Sequence, residues 1–263
     1  MPPYRLHAAP MALQDGYTID LIRWIDPYDP EAPYALVNHL GLSRISLKTT
    51  NLDADLVTLA AAGVEFFSAP VTIDRPVANS RLVCFKDPDG TLIEVVELGD
   101  AVPGAPNSGG THIIGSLQTS VNCSDFERSR DFYEMIGFET QAEGEYVGSP
   151  ELAAAVGLDS YHVREATMTP DKGSSLRLTK WEDPHDSSAP YAHLNHLGIP
   201  RIAIQTTHLE ADVQRLKDQG VVFYPEPITP QPPLGIVTYA CFEDPDGTVI
   251  ELVRCNFFLA CPF

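Results

Sequence analysis

One sentence of this sequence is written twice. "FKDPDGTLIEVVE" at 85–97 returns as "FEDPDGTVIELVR" at 242–254. Asp-Pro-Asp-Gly between alternating apolar runs is a strand–turn–strand signal, because Pro presets φ and Gly supplies φ > 0. The match continues without a gap at an offset of 157 residues, from Tyr4/Tyr161 through Val96/Val253. About 40 aligned positions are identical, so the chain carries an internal duplication and must fold as one design used twice. "APYALVNHLG" (32–41) matches "APYAHLNHLG" (189–198), and "RISLKTTNLDAD" (44–55) matches "RIAIQTTHLEAD" (201–212).

The two copies are unequal. The Pro- and Gly-rich stretch 99–110, "GDAVPGAPNSGG", has the composition of a linker. After it the second copy contains "HIIGSLQTSVNCSDFERSRDFYEMIGFET" (112–140), for which the first copy has no counterpart. The expected organisation is an incomplete first unit over 1–98, lacking its opening strand and helix, then the linker and a complete unit over 111–263. Residues 113–122 alternate as a strand, and Ser124 is the expected N-cap of a helix over 125–136 that stops at Gly137. Residues 161–169 and 175–181 read as an antiparallel pair, 201–207 as a strand and 209–219 as a helix. "VVFY", "IVTYACF" and "TVIELV" read as closing strands. The complete half is therefore β-α-β-β-β twice: an α+β fold with helices on the outer face of curved sheets.

Composition narrows the function. With 263 residues, 44% apolar, the chain can bury a core, and a formal net charge of −19 opposes a nucleic-acid partner. No run reaches the length of a membrane span. Five cysteines without a CxxC pair suit free thiols in a reducing cytoplasm, with the repeated Cys84 and Cys241 as small core residues. There is no GxGxxG, Walker loop, HExxH or GxSxG.

The opening "SDFERSRDFYEMIGFE" and closing "FEDPDGTVIELV", on paired βαβββ modules, resemble the vicinal oxygen chelate superfamily. That superfamily includes glyoxalase I, extradiol dioxygenases, methylmalonyl-CoA epimerase, and fosfomycin and bleomycin resistance proteins. The resemblance covers 112–254 with both segments and 4–97 with one. It implies tandem βαβββ modules forming cup-like mixed sheets, with four inward side chains converging on a divalent metal. Carried over by position, the four places are Gln118, Arg177, Arg201 and Glu251, and the first copy offers Asp20, Arg44 and Glu94. Gln118 and Glu251 could donate to a metal, but guanidinium has no lone pair and repels a cation. No metal or other cofactor is therefore expected, and Gln118 and Glu251 are the ligands if one binds. His39 and His196, in the repeated "NHLG", are expected to order their loops by hydrogen bonding.

Two accounts of this cup stand open. An Arg201–Glu251 salt bridge could simply hold strands together. Alternatively Arg177 and Arg201 stabilise an anionic or enolate-forming ligand, with Glu251 as general base. The function expected is binding or transforming a small oxygen-rich molecule, anionic or aromatic. An enzyme of the lyase, isomerase or ring-modifying kind and a non-catalytic, resistance-type binding protein remain alternatives, because a fold does not choose a reaction. A homodimer is expected from the unpaired edge of residues 1–100.

Overall fold

The computed structural model describes residues 4–73, 79–102, 104–171, 174–224 and 237–255. The Pro-rich stretch 225–233, "PEPITPQPP", which could rim a pocket, lies outside the described residues. The chain starts with a two-stranded hairpin, β1 (Arg5–Ala12) and β2 (Thr18–Asp26). It continues through β3 (Gly41–Thr49), α1 (Leu52–Ala61), β4 (Val71–Ile73), β5 (Ser80–Lys86) and β6 (Leu92–Leu98). The second repeat supplies β7 (Ile113–Asn122), α2 (Phe126–Met135), β8 (Phe138–Val147), α3 (Pro150–Ala155), β9 (His162–Pro170) and β10 (Ser175–Asp183). It closes with β11 (Arg201–Gln205), α4 (Leu209–Asp218), β12 (Val237–Glu243) and β13 (Val249–Cys255). None of these helices is long and apolar enough to cross a membrane.

Eight strands form one mixed sheet in the order β4-β5-β6-β3-β7-β10-β9-β8. Its centre is the antiparallel seam of β3 and β7, from Gly41 opposite Asn122 to Thr49 opposite Ile113. The sheet thus joins 41–98 of the first repeat to 113–183 of the second. Asp55 on α1 helps place the seam. Its carboxylate accepts from the backbone N–H of His112 (2.6 Å), lies 3.1 Å from that residue's Nδ1, and accepts from the Thr49 hydroxyl, so β7 enters beside β3. The remaining strands form a separate sheet, β11-β13-β12.

The repeated Asp-Pro-Asp-Gly turns are built alike. Asp87 Oδ1 accepts from the N–H groups of Asp89 and Thr91, and Asp244 Oδ1 from those of Asp246 and Thr248, at 2.8–3.0 Å. Gly90 and Gly247 take φ of 99° and 96°, which side-chain-bearing residues rarely adopt.

Helix α2 is capped by Asp125, which accepts from Arg128 N, so the expected cap, Ser124, is one residue early. Ser124 instead ties the helix start to Asp246. The sequence "VVFY" is not a strand; it contributes one isolated bridge, Phe223 to Phe242. Helix α3 has no counterpart in the sequence reading.

Three apolar clusters result. The largest joins α2 and α4 to the outer faces of both sheets through Phe126, Tyr133, Met168, Leu178, Leu216 and Phe242. A second packs α1 on β5 and β6. The third lies on the opposite face of the large sheet, where Leu152, Ala153, Ala155 and Val156 of the α3 region meet Leu82, Leu92, Val96 and Trp181.

Candidate functional site

Side chains alternate across a strand, so Leu92, Glu94 and Val96 share one face of β6. That face is the inside of the cup, and Glu94 is its fully buried centre. Glu94 Oε2 accepts from Arg44 Nε at 3.0 Å and lies 3.6 Å from Arg177 Nη1, while Oε1 accepts from Ser46 Oγ at 2.7 Å. Gln118, with its amide oxygen turned to the guanidinium, accepts from Arg177. Burial, the largest single influence, works against the charge of Arg44, but Glu94 together with Tyr161, Cys84 and Glu165 holds the guanidinium above its ordinary value. The Cys84 thiol beside them is pushed well up by burial and by Glu94. The apolar side chains of the α3 region fill the cup above this cluster.

This corrects the expected constellation. Gln118 and Arg177 do not meet Arg201 and Glu251; they meet Arg44 and Glu94 of the first repeat. Arg201 and Glu251 lie on β11 and β13 of the three-stranded sheet, with Arg201 Nε 3.1 Å from Glu251 Oε2. The cause is the β3–β7 seam, which pairs the halves crosswise. Asp20 sits exposed on β2. Glu165, a carboxylate near Arg44, escaped the sequence reading because its repeat twin is Ala8 and no motif marks it.

The second Arg–Glu pair keeps different company. Ala203 stands where the first has Ser46, and Asp20 where it has Arg177. Its side chains are 22% and 12% exposed, against 3% and 1% for Arg44 and Glu94. Neighbouring Cys241 and Tyr239 are both pushed up to about 12, mainly by burial. His39 and His196 order their loops as expected: each Nδ1 lies 2.7 Å from the carbonyl of the following leucine.

Neither Arg–Glu cluster fits a metal. Two of the four positions around Glu94 are guanidinium groups without lone pairs. Among the described residues no group of three or more His, Cys, Asp or Glu could hold an ion. An open groove of about 590 Å³ between α2 and the segment 219–224 contains none of the candidate residues.

Residues 114–252 match the family model described as Glyoxalase/Bleomycin resistance protein/Dioxygenase superfamily. Glyoxalase I from Zea mays is similar in structure, with a TM-score of 0.63 at 18% identity over 95% of this chain and 79% of that one. A putative dioxygenase from Bacillus subtilis gives 0.57 at 15% identity, over 91% and 68%. At such identities the likeness concerns the fold. No curated protein matches the sequence.

Proposed function

The chain belongs to the Glyoxalase/Bleomycin resistance protein/Dioxygenase superfamily, and on that premise we propose that it binds a small oxygen-rich molecule, anionic or aromatic, beside Arg201 and Glu251 and without a metal. One observation carries the reading: twin glutamates differ in how fully they are engaged. Glu94 is sealed in and held by Arg44, Ser46 and Arg177, the signature of an internal lock. Glu251 meets Arg201 in a more open setting, and the residues at the repeat positions of Ser46 and Arg177 are Ala203 and Asp20. Arg201 then supplies the charge and planar donors that read a carboxylate or phenolate oxygen. Gln118, Arg177, Arg44 and Glu94 hold the closed cup together rather than contact the ligand.

A catalytic reading is the second choice, favoured by the spare acceptor capacity of Glu251, which suits a general base acting on a proton beside a carbonyl. The place of action in this proposal is a reducing cytoplasm, without nucleic acid. A homodimer belongs to it as well, through an edge other than that of β3, which pairs with β7 within the chain.

The test is ligand-induced thermal stabilisation of the full chain across dicarboxylates, 2-oxo acids and catechols, with metal analysis of the same preparation. Stabilisation should vanish in Arg201→Ala and survive in Ser46→Ala, with metal well below one equivalent. Loss in Ser46→Ala alone would move the site to the closed cup, and a stoichiometric metal would end the metal-free reading. Turnover of any stabilising compound, abolished in Glu251→Gln, would select the catalytic choice.

A further inference from the structure

The closed half, around Glu94, and the open half, around Glu251, use one aromatic pair in two ways. In the closed half Tyr161 and Trp181 meet edge to face at 5.0 Å and are buried in the apolar cluster that includes the α3 region. Their identical twins Tyr4 and Trp24 keep the contact, at 5.8 Å, yet Tyr4 is 47% exposed and Trp24 only half-buried. Exposure alone marks nothing: Leu21, on the other face of the β1–β2 hairpin, is 53% exposed against 0% for its twin Leu178. What singles out the two rings is the company they keep.

Tyr239 links them to the Arg201–Glu251 pair. Across β12 and β13, Tyr239 lies opposite Val253 and Cys241 opposite Glu251, so Tyr239, Cys241 and Glu251 share one face of the three-stranded sheet. The Tyr239 hydroxyl is pushed up to about 12 by burial, then by Tyr4, Glu251 and Cys241, with Arg201 pulling the other way. It is therefore a neutral donor in the field of all these groups. The hairpin is also tied to the approach to β11. Asn195 Nδ2, ahead of Arg201, donates to Pro27 O (3.3 Å), just after β2. Its twin Asn38 makes the same bond to Pro184 O (3.0 Å), so one asparagine frames each half.

The twin of Tyr239 is Leu82, a core residue of the closed cup. The phenol thus stands only in the half whose aromatic pair is uncovered. Charge limits what fits beside it. Glu251 accepts from Arg201 Nε, and the two Nη groups make no hydrogen bond among the described residues, which leaves one two-pronged edge for a carboxylate. Among the described residues Arg201 is the one Lys or Arg on this face of the sheet. Asp20 stands on the same face of the hairpin as Trp24, so a second anionic group on a ligand would meet carboxylates and no cation.

Resting on the reading that a ligand oxygen is held by Arg201, we propose that the ligand is an aromatic monocarboxylate. Its carboxylate takes the Nη edge of Arg201 and a hydrogen bond from the Tyr239 hydroxyl. Its ring lies against Tyr4, Trp24 and Tyr239, in offset or edge-to-face contact. Aliphatic dicarboxylates and short 2-oxo acids leave these rings unused.

The test is isothermal titration of the full chain with phenylacetate and cyclohexylacetate, which share charge and reach and differ in the ring. Phenylacetate should bind at least about tenfold more tightly. Tyr239→Leu and Tyr4→Ala should each cut that preference to roughly threefold or less. Tyr4 is half exposed, so its variant should keep the fold. Tyr239→Phe, which removes only the hydroxyl, should weaken both acids alike. Equal binding of the two acids, lost in Arg201→Ala, would overturn the proposal and leave the site beside Arg201 standing. A preference for phenylacetate unchanged in both Tyr239→Leu and Tyr4→Ala would overturn it too. No binding of either acid, or binding indifferent to Arg201→Ala, would overturn the reading itself and the proposal with it.

Discussion

The two halves use twin residues under different cover. Around Glu94, strands from both repeats close into a sheet, α3 fills the cup, and the ion cluster is sealed. Around Glu251 the same Arg–Glu pair sits on a sheet that has three strands among the described residues, and it is more exposed. A motif therefore does not fix the energetic role of its residues; the elements packed over it do. What the same side chain contributes to stability should differ between the halves.

The largest difference is expected at the glutamates. Glu94→Gln strands two buried guanidinium groups and should cost about 3–5 kcal/mol in chemical denaturation. Glu251→Gln, in a partly solvated pair, should cost about 1 kcal/mol or less. Equal costs would mean that the open half is sealed in solution. The next pair is apolar: Leu178→Ala should cost about 3 kcal/mol and Leu21→Ala less than about 0.5 kcal/mol.

A pH measurement sharpens the comparison at the junction of the halves. Burial holds His39 down to about 4, against the upward pull of its bond to Leu40 O and of Asp186. The unfolded chain takes up that proton near pH 6.5 and the folded chain near 4, so stability falls as pH drops through this window. The loss should be roughly 2–3 kcal/mol, and His39→Gln should flatten that part of the profile in denaturation at a series of pH values. The smallest contrast is between the frame asparagines. Asn38→Ala should cost about 1 kcal/mol more than Asn195→Ala, since Asn38 is buried and Asn195 only half-buried.

Much of the fold was legible because repetition separates signal from accident. The strand 113–122 and the helix 209–219 follow from alternation and helical spacing, and α2 is read with its cap one residue early. The turn glycines follow from the doubled Asp-Pro-Asp-Gly. The sequence marks Gln118, Arg177, Arg44 and Glu94 as inward-facing candidates, but not that these four meet one another. Which strand pairs with which is decided by long-range contacts such as Asp55 with His112, which no local pattern announces. Helix α3 was missed because "PELAAA" is too short for a helical period to stand out, and only its burial gives it a role.

The stacked Tyr34 and Tyr191 carry a last consequence. They mark a local two-fold axis, yet their hydroxyls have different duties: Tyr191 Oη accepts from Tyr34 N, while Tyr34 Oη donates to Ala189 O. Two identical chains meeting on such an axis would have to change both sides at once. Covalent joining removes that obligation, so an arginine can stand at 177 while its twin at 20 is an aspartate. One half is thus free to specialise as ballast while the other stays open to traffic.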